Sequence, residues 1–327
     1  MKQHILLTGC AGFIGSNFVK TIACRDDIKK KYSFHIIDAL TYAGHFSNIQ
    51  NEVETNSHLS FEKMDIRDTT GLRQLFEKHQ FSGVLNFAAE SHVDRSITNP
   101  NIFVETNVLG TLNLLNESLR LFTKTSAFTY LQVSTDEVYG SLGLTDAPFT
   151  ENNPLAPNSP YSASKAGADL LVRSFNETYQ LPTITTRCSN NYGALQDEEK
   201  FIPTMIKKAL NEQPMPVYGN GKNVRDWIYV DDHNEGIWCA FIRGKRGQVY
   251  NFGGNCEKQN IDIAKAILKK LNKPESLIHF VEDRKGHDLR YAIDFSKAQA
   301  DLDWTPKTYL DDNGLDLTIE HYRKRWS

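Results

Sequence analysis

Short apolar runs alternate with amphipathic stretches through the first 190 residues. His4 to Thr8 reads as a buried strand, and Phe13 to Cys24 as the helix that follows it. Phe34 to Asp38 gives a second strand, and Gly71 to His79 a polar helix. Val84 to Ala88 is a third strand, ahead of a long helix over 102–122 with Val104, Val108, Leu112 and Leu115 on one face. Tyr130 to Ser134, a helix over 161–179 and Leu181 to Cys188 complete the series. Strands that recur with a helix between them need crossover connections. The pattern therefore predicts an α/β fold, a doubly wound parallel sheet with helices on both faces.

The alternation loosens after about Asn190. Helical stretches such as Phe201 to Asn211 and Asp231 to Ile242 mix with short strands and Gly-rich turns, with no Pro/Ser-rich linker, repeat or low-complexity tract. Residues 191–327 are expected to form a smaller α/β lobe beside the sheet domain over 1–190, with some chain crossing between the two.

Composition narrows the partners. With 37 basic against 40 acidic residues the net charge is −3, so no bulk field favours nucleic acid or an anionic membrane. Any phosphorylated ligand must meet local donors. Cys10, Cys24, Cys188, Cys239 and Cys256 are scattered, odd in number and without a CxxC pair, which fits reduced thiols and no zinc site. No apolar run nears the ~18 residues of a membrane span. The expectation is a cytoplasmic protein that holds no metal.

Gly9-Cys10-Ala11-Gly12-Phe13-Ile14-Gly15 stands between the first strand and its helix. The first Gly permits a tight turn, the second lets backbone approach a pyrophosphate, and the third lets helix and strand pack closely. Helix N–H groups and the dipole then meet the negative charge without a basic side chain. Alone, the trio is only a flexible turn. Asp38 ends the second strand 23 residues after Gly15, placed to accept from ribose hydroxyls and to repel a 2′-phosphate, with Ala39, Leu40 and Thr41 following. The pair selects NAD over NADP and makes the sheet Rossmann-type. Asp65 and Ile66 are candidates for the adenine end, and Phe87, Ala88 and Ala89 supply small residues at the end of the third strand.

Tyr161 and Lys165 are four apart, hence on one helix face. A free Tyr has a pKa of about 10, and a neighbouring Lys ammonium and a cationic nicotinamide both favour phenolate. Without its context the pair is a solvated i,i+4 contact. The fourth strand ends in Thr135-Asp136-Glu137, a hydroxyl followed by two carboxylates where open α/β sheets meet ligands. Adjacent acids repel, so a buried one keeps its proton and the two divide into acid and base. The alternative is a helix N-cap with acids at the dipole.

Together these residues resemble the extended short-chain dehydrogenase/reductase superfamily. FAAESHVDRS (87–96), STDEVYG (134–140), NSPYSASKA (158–166), RCSNNYG (187–193), NVRDWIYVDDH (223–233) and GHDLRYAID (286–294) are similar to the nucleotide-sugar 4,6-dehydratases, most of all those acting on dTDP-glucose. The resemblance implies an NAD-dependent hydro-lyase. Tyr161, with Lys165 and Thr135, would take the 4-hydroxyl proton; Glu137 would remove the C5 proton; Asp136 would protonate the departing 6-hydroxyl. A 4-epimerase, a decarboxylase and a non-catalytic NAD-sensing regulator are the competing readings. Asp136 and Glu137 speak against the first two, and the intact Tyr161 and Lys165 against the third.

The resemblance also adds Thr106, Val133 and Cys188 to the cofactor track. It implies substrate contacts from Ser91, His92, Asn190, Glu199, Lys200, Phe201, Ile202, Pro216, Tyr218, Arg225, Asn260, Arg284 and His287. A homodimer through helices 102–122 and 161–179 is implied as well. Two stretches depart from the family pattern: Ala194 to Glu198 replaces an aromatic- and Pro-containing run, and Leu289 stands where Arg is common. A UDP-hexose, a UDP-N-acetylhexosamine or a 5,6-unsaturated sugar therefore remains an alternative substrate.

Overall fold

Seven strands pair in parallel in the order β3-β2-β1-β4-β5-β6-β10. They are β1 (Gln3–Thr8), β2 (Tyr32–Asp38), β3 (Leu59–Lys63), β4 (Gly83–Asn86), β5 (Thr129–Thr135), β6 (Thr183–Cys188) and β10 (Val249–Phe252). The structure, a computed structural model, describes residues 2–125, 128–283 and 286–326. Along β1 the side chains alternate: Ile5 and Leu7 face a core with Phe18, Trp238 and Trp304, while Leu6 faces one with Leu72, Leu75, Leu114 and Val172. Both faces are covered, which is why the strand reads as an unbroken apolar run. Each such buried Leu or Ile contributes roughly 1.5–3 kcal/mol.

Two strands escape the apolar pattern. The edge strand β3 reads Leu-Ser-Phe-Glu-Lys, with only Leu59 fully buried. The opposite edge, β10, comes from residues 249–252, beyond residue 190, and pairs with β6. The helices Val230–Arg243 and Ser296–Leu302 cover that end of the sheet.

The long helix expected over 102–122 runs from Pro100 to Thr125, but Val104–Gly110 forms a wide π-turn inside it. The extra residue per turn shifts the helix phase. Val104 and Leu109 are consequently exposed while Asn107 and Gly110 are buried. The expectation that Val104 shares the buried face of Leu115 is thus corrected. Gly110 is required by contact, since a Cβ there would come within 2.6 Å of Ile66 Cδ1.

The remaining chain builds a lobe with its own core of Ile202, Met205, Ile206, Trp227, Ile263, Ile267 and Tyr322. Its strands are β7 (Asn190–Tyr192), β8 (Met215–Tyr218), β9 (Val224–Tyr229), β11 (Glu257–Gln259) and β12 (Ile278–Val281). They form a three-stranded sheet, β11-β9-β7, and a two-stranded one, β12-β8. In the large sheet the strand order reverses between β1 and β4. A crevice opens there at the carboxyl ends of the strands.

Candidate active site

Gly9 begins the turn after β1 with φ of +71°, and a Cβ on it would lie 2.5 Å from the N and Cα of Ala88 beyond β4. Only Gly lets the two strand ends approach this closely. A Cβ on Gly15 would meet Cys10 Cα at 2.6 Å. At Gly12 the surroundings differ: its φ is −82°, and the nearest atom to an added Cβ is Gly9 O at 3.4 Å. The helix Phe13–Phe18 has no side-chain cap at Gly12. Its first N–H groups, and the dipole with them, face the cleft.

Asp38 fixes the next wall. Its Oδ2 accepts from Ala11 N–H and its Oδ1 from Leu40 N–H, both at 2.8 Å. Burial nonetheless raises its pKa. Asp65 is held by Arg67 through backbone N–H and guanidinium, a pairing that lowers its pKa against the cost of burial. A glycine cradle, an uncapped helix start and a carboxylate at the second strand end together suit a dinucleotide without a 2′-phosphate. All the expected cofactor residues line one cleft of about 330 Å³ except Ala11 and Leu40, whose backbones hold Asp38 instead.

The five candidate catalytic residues line the same cleft. Thr135 ends β5, and its Oγ1 accepts from Glu137 N–H at 3.3 Å, which starts the short helical turn Asp136–Tyr139. The helix Pro160–Tyr179 begins with a capping box, Ser159 Oγ and Ser162 Oγ each accepting from the other's backbone N–H at 3.1 Å. With Pro160 in its first turn, this sets the orientation of Tyr161 and Lys165 and contributes about 1 kcal/mol. Asn107, delivered by the π-turn, ties Ser164 Oγ of that helix to the Glu90 backbone.

Burial decides the charges. Asp136 is 2% exposed; desolvation, then repulsion from Glu137 and Asp226, pushes its carboxyl well above the usual range. Burial and these neighbours favour its protonated form. Its Oδ2 has no hydrogen-bond partner among the described residues, an orphan atom at the cleft wall. Tyr161 is hydrogen-bonded to the Thr135 hydroxyl. Among the protein's own groups, burial raises the phenol's pKa, and Glu137, Cys188 and Asp136 raise it further. The Lys165 ammonium is directed elsewhere, donating to Val133 O at 2.7 Å. Burial lowers the Lys165 pKa, countered by Asp169 one turn along. Burial also pushes the Cys188 thiol up to about 12.

The substrate candidates divide into two groups. Ser91, His92, Asn190 and Lys200 line the cleft. Glu199 sits at its edge, paired with Arg95 at 2.6 Å and His92 at 3.4 Å. The second group lies along β8, β9 and the segment after β12. Arg225 donates to Val224 O and Asp288 O and lies 4.4 Å above the Tyr291 ring. His287 hydrogen-bonds Asp283 at 2.6 Å, with Tyr218 edge-on to it. Pro216 shares β8 with Tyr218, and Asn260 opens the helix Asn260–Leu271 beside Asn223. Phe201 packs against Trp227, and Ile202 is spent in the lobe core at 1% exposure. Arg284 lies outside the described residues. Arg290 is committed to Glu257 and to the carbonyls of Gly143 and Asp146.

Several residues went unnoticed in the sequence. Tyr42, Glu90, Asn191 and Gln196 line the cleft. Tyr291 stands close enough to Glu137 for that carboxylate to raise its pKa, and it donates to Asp288. Glu90, Asn191 and Tyr291 lie inside the FAAESHVDRS, RCSNNYG and GHDLRYAID blocks, and Gln196 inside the departing stretch, while Tyr42 carried no signal.

Comparison with known proteins adds to this geometry. A sequence model of the family described as GDP-mannose 4,6 dehydratase matches residues 6–314. The chain is 50% identical over 332 residues to a dTDP-glucose 4,6-dehydratase of Xanthomonas campestris pv. campestris, covering 97% of this chain and 92% of that protein. The dTDP-glucose 4,6-dehydratase DesIV of Streptomyces venezuelae, solved with NAD and TYD bound, superposes with a TM-score of 0.91 at 40% identity, over 98% of this chain and 97% of that one. A dTDP-glucose 4,6-dehydratase from Bacillus anthracis, solved in complex with NAD, gives 0.88 at 43% identity, over 98% and 97%.

Proposed function

The chain belongs to the GDP-mannose 4,6 dehydratase family, and on that premise we propose that it is an NAD-dependent hydro-lyase converting a nucleotide-diphosphate hexose, best matched by dTDP-glucose, to its 4-keto-6-deoxy form. The observation that carries the reading is Asp136: a buried carboxyl, its pKa raised by burial and by Glu137, in the same cleft as Glu137 and Tyr161. Epimerisation or decarboxylation needs no acid for a 6-hydroxyl.

Bound NAD supplies the redox chemistry, accepting hydride from the sugar and returning it, so that it ends each turnover as it began. Tyr161 takes the proton of the 4-hydroxyl through its phenol oxygen, with Thr135 Oγ1 hydrogen-bonded beside it. Burial and the nearby acids raise this phenol's pKa, and a bound oxidised cofactor would supply the positive charge that favours its phenolate form. Lys165, anchored on Val133 O one turn along the helix from Tyr161, would help hold the cofactor in the cleft. The resulting 4-ketone acidifies the C5 hydrogen, and Glu137 becomes an adequate base for it. Asp136 gives its proton to the departing 6-hydroxyl. By the family resemblance, Arg225, Asn260 and His287 of the substrate lobe would contact the nucleotide.

The exposed apolar residues Val104, Leu109 and Leu170 lie on the helices at 100–125 and 160–179. They support a homodimer that pairs these helices across a two-fold axis. No helix among the described residues is long and apolar enough to cross a membrane. Reduced buried thiols and a nucleotide-sugar substrate favour the cytoplasm.

A second reading keeps the chemistry and changes the substrate to a UDP-hexose or UDP-N-acetylhexosamine. It is favoured by Gln196 and Asp197, which line the cleft inside the stretch that departs from the family pattern. Incubation with dTDP-glucose, UDP-glucose and UDP-N-acetylglucosamine, followed by mass spectrometry, separates the two. Loss of water from dTDP-glucose alone supports the first reading, and from a UDP-sugar alone the second. No dehydration of any of them overturns both.

A further inference from the structure

Away from the reacting centre, three segments far apart in the chain meet at the edge of the cleft. Tyr42, on the loop after β2, lines the cleft, and its phenol hydrogen-bonds Glu90 and the Ser91 backbone beyond β4. The Arg95 guanidinium lies over the Tyr42 ring, 3.8 Å from its centroid. It also donates to Glu199 Oε1 at 2.6 Å, reaching from the cofactor lobe to the substrate lobe. His92 Nδ1 accepts from Arg95 N–H at 3.4 Å, which leaves Nε2 to carry the ring proton toward Glu199 Oε2. Lys200 Nζ closes the same gap by donating to Ser91 O at 2.7 Å.

We propose that Arg95 is a positioning residue that straps the Tyr42 loop to Glu199 and thereby slows escape of the bound dinucleotide. The proposal rests on the NAD-dependent reading above. A reaction that oxidises a sugar and later reduces it fails if the cofactor leaves in between, so retention has chemical value. Arg95 suits the task because one planar cation stacks on an aromatic face and pairs with a carboxylate at once. It acts through Tyr42 and Glu199 rather than on the reacting atoms. Both members of the Arg95–Glu199 pair are 44% exposed, so salt screens it.

The test uses the purified, NAD-loaded protein, with release followed through a second dehydrogenase that reduces free NAD. Arg95→Met and Tyr42→Leu are expected to release NAD roughly tenfold faster. Arg95→Lys falls between, and Arg73→Met, on a remote surface pair with Glu77, matches the parent. Raised salt speeds release from the parent and leaves Arg95→Met unchanged. Thermal unfolding identifies folded variants. A folded Arg95→Met with the parental release rate overturns the strap while leaving the NAD reading intact. A parent that holds and takes up no NAD overturns that reading, and the strap with it.

Discussion

Gly12 and Gly9 share one turn but face different surroundings, and replacing each by Ala separates folding from cofactor binding. At Gly12 the backbone angles suit any residue, and an added Cβ keeps 3.4 Å from Gly9 O and 3.9 Å from Ala43 O. The loss of backbone entropy in the unfolded chain favours Ala by about 0.4–1 kcal/mol, and its poorer N-cap quality offsets a few tenths of that. Gly12→Ala should therefore unfold within a few degrees of the parent. The same Cβ occupies the approach to the uncapped N–H groups of the helix Phe13–Phe18. Losing one charge-assisted hydrogen bond there costs about 1.5–3 kcal/mol, or roughly ten- to hundredfold in NAD affinity. At Gly9 the substituted residue would sit at φ of +71° with its Cβ 2.5 Å from Ala88. Gly9→Ala should lower the unfolding temperature itself. The assay is thermal unfolding together with the nucleotide freed on denaturation. A Gly12→Ala protein that folds and retains NAD as the parent does would refute the phosphate-cradle reasoning.

Asp136→Asn should reduce dehydration by roughly 10²–10⁴-fold while leaving NAD content unchanged, measured as product formation and released nucleotide. His4, His35 and His79 form a ring stack with Phe81, and burial, followed by repulsion from its neighbours, depresses His35 to about 4. The unfolded chain binds the proton first, so no penalty exists above pH ~6.5 and it grows as pH falls toward that folded value. Denaturant unfolding should show about 2 kcal/mol lost between pH 7.5 and pH 5 from His35, and His35→Gln should flatten the slope. Leu170→Glu, on an exposed position of the Tyr161 helix, should convert the dimer to monomer in light scattering; a monomeric parent would contradict the proposed pairing.

The glycine turn and the central strands were legible because each declares itself locally, through spacing or an unbroken apolar run. The edge strand β3 was not, since its solvent face breaks the pattern with Ser60 and Glu62. Nor was β10, whose place in the sheet depends on a partner over sixty residues away. The site showed the same divide. Tyr161, Lys165 and the Thr135–Glu137 trio were visible as motifs, yet their charge states depend on burial. Lys165 and a cationic nicotinamide are expected from the motif to lower the Tyr161 pKa; the fold adds desolvation and nearby acids, which raise it, and turns the Lys165 ammonium toward Val133 O. The contacts of Tyr42, Arg95 and Glu199 join segments that only the folded chain brings together.

The central claim is that one cleft oxidises C4, eliminates water across C5 and C6, and returns the same hydrogen to C6. The most direct measurement is turnover of dTDP-glucose deuterated at C4 by the protein as purified, without added cofactor, read by NMR and mass spectrometry. The account predicts a product lighter by one water, with the deuterium at C6 and a solvent hydrogen at C5. Deuterium still at C4, deuterium lost to solvent, or a product of unchanged mass would contradict it.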